Sequence, residues 1–286
     1  MDVTAVVNTG DDVVLHGLHV SPDLDTVLYT LAGAVSADRG WGLEGETWTV
    51  MAALARYDRP PAGALTWFNL GDRDLATHLF RTQRLAEGAA LSQVTAEIAA
   101  AWSVCVRLLP MTDDRVETRM SVPGEGEIGF QDYFVRRRHA VAVDGVRFDG
   151  AAAATPAPGV LEAIDGAEVL VICPSNPIVS IGPILAVPGV RAAVERRRDI
   201  TVAVSPIVAG AALKGPADRL MTELGHEPSV VGVAHLYAPL AATLVIDEAD
   251  AALASEVEAA GMNCLVTDTV MHGVAEAAAL AKAVLG

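Results

Sequence analysis

Asn8-Thr9-Gly10-Asp11-Asp12, followed closely by Ser21-Pro22-Asp23-Leu24-Asp25-Thr26, sets four carboxylates on two short turns near the start of the sequence. The first turn leaves the β-branched run Val3-Thr4-Ala5-Val6-Val7, which predicts a buried parallel strand. The second opens a helix predicted from Pro22 to about Ala34, with Asp23 as cap and Val27, Leu28 and Leu31 as the buried stripe. Glycine and acidic residues at a strand exit fit the crevice at the carboxyl edge of an open α/β sheet. Carboxylates collected there are hard oxygen ligands suited to Mg²⁺ beside a phosphate, so Asp11, Asp12, Asp23 and Asp25 are the first candidates. Helix caps and solvated loops are the bland alternative for the same residues.

Outward from this stretch, strand-like and helix-like segments alternate. Glu46–Tyr57 predicts a helix with Trp48, Met51, Ala52 and Leu54 inward, broken by Arg59-Pro60-Pro61-Ala62-Gly63. A helix after Gly71-Asp72-Arg73-Asp74 is expected to bury Leu75, Leu79 and Phe80, and Leu91–Trp102 predicts another. Strands are expected at Val106–Leu109, Glu168–Cys173, Thr201–Val204, Leu244–Asp247 and Asn263–Thr267. Residues 112–150 change character: Glu117–Val122 and Ile128–Phe134 alternate as antiparallel strands do, which predicts a β-rich insertion. The fold class that follows is α/β, a Rossmann-like and mainly parallel sheet with helices on both faces, in one domain over 1–286.

Composition bounds the function. Hydrophobic residues make up 52% of the 286, which excludes intrinsic disorder. A formal net charge of −16 argues against nucleic acid as a partner and requires any phosphate ligand to be held by local charges. No apolar run reaches the length of a membrane helix without a charge, Pro or Gly, and Met1-Asp2-Val3 lacks a basic signal-peptide start, so a cytoplasmic protein is expected. Cys105, Cys173 and Cys264 show no metal-ligand spacing and are expected to be buried. The triplets Arg136-Arg137-Arg138 and Arg196-Arg197-Arg198 read as solvated faces.

Two further segments carry chemistry. In Gly71-Asp72-Arg73-Asp74, Arg73 can clamp a phosphate or a polar ring with the aspartates orienting it, or the group can simply cap a helix. Ser175-Asn176-Pro177-Ile178-Val179-Ser180 follows the most strand-like segment and offers hydroxyls and backbone N–H groups to a nucleotide. It lacks the Gly-Lys-Ser/Thr end of a Walker A loop.

Taken in order, Ala5-Val6-Val7-Asn8, Pro22-Asp23-Leu24-Asp25-Thr26, Gly71–His78, Leu108–Asp114, Phe130-Gln131-Asp132, Ser175–Ile184 and Val204–Ile207 resemble the 2-phospho-L-lactate transferase family of coenzyme F-420 biosynthesis. Arg39-Gly40-Trp41-Gly42 and Glu46-Thr47-Trp48 are similar to its actinobacterial branch. The resemblance implies transfer of a phospholactyl or phosphoenolpyruvyl group from a guanylyl diphosphate donor to the deazaflavin 7,8-didemethyl-8-hydroxy-5-deazariboflavin, with release of GMP. It implies that Asp11 and Asp23 hold Mg²⁺ and that Asp25 and Arg73 contact the deazaflavin, with Asp72 in the substrate-binding set. Asn8 would join the substrate set, Ser175, Asn176 and Ser180 would sit near the nucleotide, and Asp23 or Asp25 would take the acceptor's hydroxyl proton. A homodimer is expected on the same ground. Family members carry an apolar strand and a glycine-rich turn before the segment matching Ala5–Asn8, so the expectation is that such a piece precedes Met1. The alternatives are a UDP-sugar-binding regulatory protein of the same fold, without transfer chemistry, and an inactive truncated paralogue.

Overall fold

The structure is a computed structural model that describes residues 2–59 and 65–286; the proline break expected at 60–63 lies outside the described residues. The chain divides into two units, the first of residues 1–120, 126–141 and 147–158, the second of 121–125, 142–146 and 159–286.

The first unit begins with strand β1 (Thr4–Val7), the hairpin β2 (Val13–Leu15) and β3 (Leu18–Val20), and helix α1 (Pro22–Leu31). Helices α2 (Thr49–Leu54), α3 (Asp74–Ala86) and α4 (Leu91–Ala101) follow, then strand β4 (Arg107–Pro110). β1 and β4 pair in parallel, Val7 opposite Pro110, so both chains leave the pair on the same side. The hairpin went unread in the sequence because its turn is His16-Gly17, with φ of 53° and 79°. Left-handed backbone at both central positions is what a tight two-residue hairpin turn demands, and Asn-Gly or Asp-Gly is its usual signature.

A core of Leu28, Tyr29, Leu43, Val94, Ile98 and Leu108 ties α1 and α4 to β4. A second cluster of Leu15, Val20, Met51 and Leu70 seats the hairpin. Burying a side chain of this size contributes about 1.5–3 kcal/mol.

α1 corrects two expectations. Asp23 does not cap it; Pro22 starts the helix with its preset φ, and the Ser21 hydroxyl donates instead to Asp12 Oδ2 at 2.7 Å. The buried face is Leu24, Asp25, Leu28 and Tyr29, while Val27 is half-buried and Leu31 exposed. α3 is turned further from the expected arrangement. It buries Thr77, His78 and Arg81 and exposes Leu79 and Phe80. Its polar stripe faces inward because buried partners compensate it, as described below. Ala52 of α2 is likewise exposed.

Strands β5 (Glu117–Val122), β6 (Gly126–Gly129) and β7 (Gly145–Asp149) form a sheet in the order β6-β5-β7, with residues in both units. The alternating run expected to Phe134 stops at Gly129, and Asp132–Arg136 is a wide helical turn. Phe130 and Phe134 stack at helical spacing, their rings 13° from parallel with centroids 5.4 Å apart.

The second unit carries α5 (Val160–Gly166), β8 (Leu170–Ile172), α6 (Gly182–Ala186), α7 (Val190–Arg196) and β9 (Thr201–Val204). Next come the short pair β10 (Ile207–Val208) and β11 (Ala211–Ala212), then α8 (Ala217–Glu223), α9 (Val230–Tyr237) and β12 (Thr243–Ile246). It ends with α10 (Ala254–Ala259), β13 (Asn263–Val266) and α11 (Val274–Leu285). A four-stranded parallel sheet runs β13-β12-β9-β8, so the architecture is α/β with parallel sheets and small antiparallel additions. Val204, Val245 and Leu280 form part of its core.

Two compositional expectations fail. Cys105 and Cys173 are exposed, on a loop and just past β8, and Cys264 is half-buried within the edge strand β13. Of the second arginine triplet only Arg196 is solvated. Arg197 donates to the Ala167 carbonyl and Arg198 to those of Ala238 and Gly261, so both guanidiniums are engaged by backbone oxygens. Among the described residues no single helix is long and apolar enough to cross a membrane.

Candidate active site

Asn8 builds the first turn and then organises it. Its side-chain oxygen accepts from the Gly10 N–H at 2.8 Å, and its amide nitrogen donates to Asp23 Oδ2 at 3.0 Å and Asp11 Oδ1 at 3.4 Å. One residue at the β1 exit thus gathers a carboxylate from its own loop and one from α1. Gln131 approaches from the helical turn after β6 and donates to Asp11 Oδ2 at 3.2 Å and to its carbonyl at 3.0 Å. Asp12 is held by Ser21 through Oδ2, whereas its Oδ1 is buried without a hydrogen-bond partner.

The electrostatics of this group are unbalanced. Burial, then repulsion from Asp23 and Asp12, holds the Asp11 carboxyl well above the usual range. Burial likewise raises Asp23, against the Asn8 hydrogen bond, and raises Asp12 to about 8. Three carboxylates this close resist simultaneous ionisation unless a cation joins them. The orphaned Asp12 oxygen and the all-oxygen donor set fit a hard divalent ion such as Mg²⁺.

Asp25 faces the other way. Both its oxygens accept from the Arg81 guanidinium, Oδ2 at 3.1 Å from Nη1, and both residues are buried. His78 Nδ1 lies 3.6 Å from Asp25 Oδ2, and its Nε2 lies 3.4 Å from Asp74 Oδ2. The Tyr29 hydroxyl donates to Asp74 Oδ1 and stands 2.8 Å from Thr77 Oγ1. Burial alone would raise Asp74, but His78, Tyr29 and Arg81 outweigh it and hold the carboxyl below its ordinary value.

Asp72 and Arg73 are placed elsewhere in the first unit. Asp72 accepts from the Thr47 hydroxyl at 2.6 Å and from the N–H groups of Thr49 and Val50 at 2.9 and 3.0 Å, which caps α2. These bonds bring the exposed Asp72 carboxyl down to about 2. Glu46 returns the favour, accepting from the N–H groups of Arg73 and Asp74 at the start of α3. A Cβ at Gly71 would meet the Glu46 carboxyl carbon at 2.1 Å, so a side chain there would push Glu46 out of this cap. The Arg73 guanidinium donates to the Glu44 carbonyl.

Ser175, Asn176 and Ser180 belong to the second unit. Asn176 Oδ1 accepts from the N–H groups of Ile178 and Val179 at 2.9 and 3.3 Å and starts the helical turn Pro177–Ile181; Ser175 and Ser180 are half-buried.

Two cavities meet at the acidic turn. One of about 240 Å³ is lined by Asp11, Asp12, Trp67, Arg119, Phe130 and Gln131. The other, about 670 Å³, includes Thr9, Asp12, Ser21, Arg81, Asp113 and Arg115 and falls in the size range of small-molecule sites. Asp12 borders both. Arg81, Tyr29 and Gln131 were missed as site residues in the sequence. A signal was there: Asp74, Thr77, His78 and Arg81 recur at helical spacing as one polar stripe.

The comparisons with known proteins agree with one another. The family model described as 2-phospho-L-lactate transferase CofD matches residues 1–281. The chain is 47% identical, over 99% of its length and 89% of the relative's, to a phosphoenolpyruvate transferase of Streptomyces griseus subsp. griseus. It is 46% identical over 99% of its length to one of Kitasatospora aureofaciens, covering 88% of that protein, and 43% identical over 93% to one of Mycolicibacterium smegmatis, covering 84%. Two crystal structures of the protein BH3568 from Bacillus halodurans, one titled a member of the upf0052 family, share the fold at a TM-score of 0.61. Their identities are 13% and 15%, and each alignment covers 100% of this chain and 92% or 91% of the other.

Proposed function

The chain belongs to the 2-phospho-L-lactate transferase CofD family, and from that premise we propose that it moves a phosphoenolpyruvyl group from a guanylyl diphosphate donor to the ribityl hydroxyl of 7,8-didemethyl-8-hydroxy-5-deazariboflavin, releasing GMP in coenzyme F-420 biosynthesis. The names of the relatives favour phosphoenolpyruvate over phospholactate as the acid half. The observation that carries the reading is the Asp11–Asp12–Asp23 cluster, three buried carboxyls all raised above their ordinary range, of which Asp12 borders both cavities and Asp11 the smaller.

Asp11 and Asp23 would hold Mg²⁺, with the free Asp12 oxygen beside them. Bound there, the ion would offset the diphosphate's negative charge, which an acidic protein cannot do by its own net field. The side chains do the positioning. Asn8 fixes Asp11 and Asp23 relative to each other, Gln131 fixes Asp11, and Ser21 fixes Asp12. Asp25 has both oxygens committed to Arg81, which leaves Asp23, held through one oxygen by Asn8, to take the proton of the attacking hydroxyl. Arg73, Asp72 and Asp25 are assigned to the side of the deazaflavin, and Ser175, Asn176 and Ser180 to the guanine nucleotide, on the resemblance alone. A homodimer is part of the same proposal.

The test is to incubate the chain with Mg²⁺, the deazaflavin and each donor, then weigh the product. A mass increase by one phosphoenolpyruvyl or phospholactyl unit, with GMP, is the expected result and identifies the donor. Tight UDP-sugar binding with neither product nor deazaflavin binding would overturn the reading.

A further inference from the structure

Beside the acidic turn, Asp25, Asp74 and His78 present three ligand atoms within 4.8 Å of one another. Two carboxylates and an imidazole form a donor set for a borderline divalent ion such as Zn²⁺ or Co²⁺. His78 is 1% exposed, and its Nε2 faces Asp74 Oδ2 at 3.4 Å without a well-aligned hydrogen bond, so the recess also holds a weakly engaged ligand atom. A cation is nonetheless already there. Arg81 Nη1 lies 3.1 Å from Asp25 Oδ2 and 3.4 Å from His78 Nδ1, Nη2 binds the other Asp25 oxygen, and Nη1 reaches the His19 carbonyl at 3.4 Å.

We propose that Arg81 is the resident cation of this recess: its guanidinium fills the place a metal ion would take between Asp25 and His78, and so confines divalent-ion binding to the Asp11–Asp12–Asp23 side. The geometry of α3 makes this a built feature. Asp74 and His78 stand one turn apart, Arg81 follows His78 by three residues, and the three side chains share one inward stripe. A guanidinium stays charged at every working pH and its planar fork matches a carboxylate, so Asp25 is neutralised permanently. A metal ion entering the recess would face a fixed positive charge a few ångströms away, in surroundings where screening is weak. That the divalent ion is confined to the acidic turn rests on the proposed Mg²⁺ reading; that Arg81 bars an ion from this recess does not.

Co²⁺ titration of the full chain tests it, because imidazole ligation is visible in the ion's absorption spectrum. Arg81→Met removes the charge at similar volume and is expected to gain one Co²⁺ per chain relative to wild type. Adding His78→Ala abolishes the gain, Arg81→Lys shows none, and adding Asp23→Asn leaves it in place. That last arm separates this site from the proposed Mg²⁺ site. No gain in a folded Arg81→Met chain overturns the proposal. Should Arg81→Met fail to fold, wild type against His78→Ala decides: equal Co²⁺ binding and spectra support it, and a His78-dependent ion in wild type overturns it.

Discussion

Asp23 and Asp25 stand two residues apart on the first turn of α1 and meet opposite surroundings. Positions two apart on a helix point to nearly opposite sides, so Pro-Asp-Leu-Asp serves two regions with one turn. On one side Asp23 joins Asp11 and Asp12, where burial raises all three carboxyls and, among the described residues, no ion pair to a protein cation is formed. On the other, Asp25 is saturated by Arg81, and Asp74 is held low by His78, Tyr29 and the same arginine. The residue type is the same. The position of one buried guanidinium decides which carboxylates are left to bind something from outside and which hold the fold together.

The comparison predicts that the two aspartates fail differently. Asp23→Asn should lower turnover on the order of 10³-fold, as removal of a group stabilising developing charge does. Without divalent ion its melting temperature should hold or rise, since one uncompensated buried charge is gone. Turnover within a few-fold of wild type at saturating Mg²⁺ would break the assignment. Asp25→Asn should instead destabilise the chain by about 3–5 kcal/mol in urea unfolding, because Arg81 is left buried and unpaired. Adding Arg81→Met should recover much of that loss. A cost for Asp25→Asn below about 1 kcal/mol, the scale of an exposed pair, would erase the distinction between the regions.

A smaller effect follows from pH. Asp12, with its carboxyl pushed up to about 8 in the folded chain from an ordinary value of 3.8, keeps its proton longer when folded than when unfolded. Between those values the folded state binds more protons, so stability falls as pH rises through that window. The raised carboxyls of Asp11 and Asp23 act in the same direction. Metal-free protein should therefore melt at progressively lower temperature from pH 5 to pH 8, and stabilisation by added Mg²⁺ should grow over the same range as protons cease to compete. A flat or rising metal-free profile would show that the acidic turn is already compensated.

The acidic turn was legible because strand exit, glycine and carboxylates are adjacent in sequence, and so were the parallel strands Thr201–Val204 and Asn263–Val266. Arg81 was not. Its partner Asp25 lies 56 residues away, and hydrophobic periodicity assigns α3 the wrong face when a buried polar network replaces an apolar one. Phe130–Phe134 misled for a different reason: alternation suggested a strand, whereas the two rings are also four residues apart and stack at helical spacing.

Asp72 is a third kind of carboxylate and sharpens the comparison by its modest worth. It is exposed to solvent on the pair of helix starts, where it caps α2 while Glu46 caps α3, and its bonds to Thr47, Thr49 and Val50 lower its carboxyl. Asp72→Ala should lower the urea midpoint only slightly, far less than Asp25→Asn does, because no buried charge is stranded. The proposal that Asp72 faces the deazaflavin gives the same variant a second readout. If the side chain only caps, KM for the acceptor stays within about twofold of wild type and the stability loss is the same with acceptor bound. A several-fold rise in KM with kcat unchanged would show instead that the carboxylate leaves its cap to meet the ring, since loss of uniform binding raises KM alone.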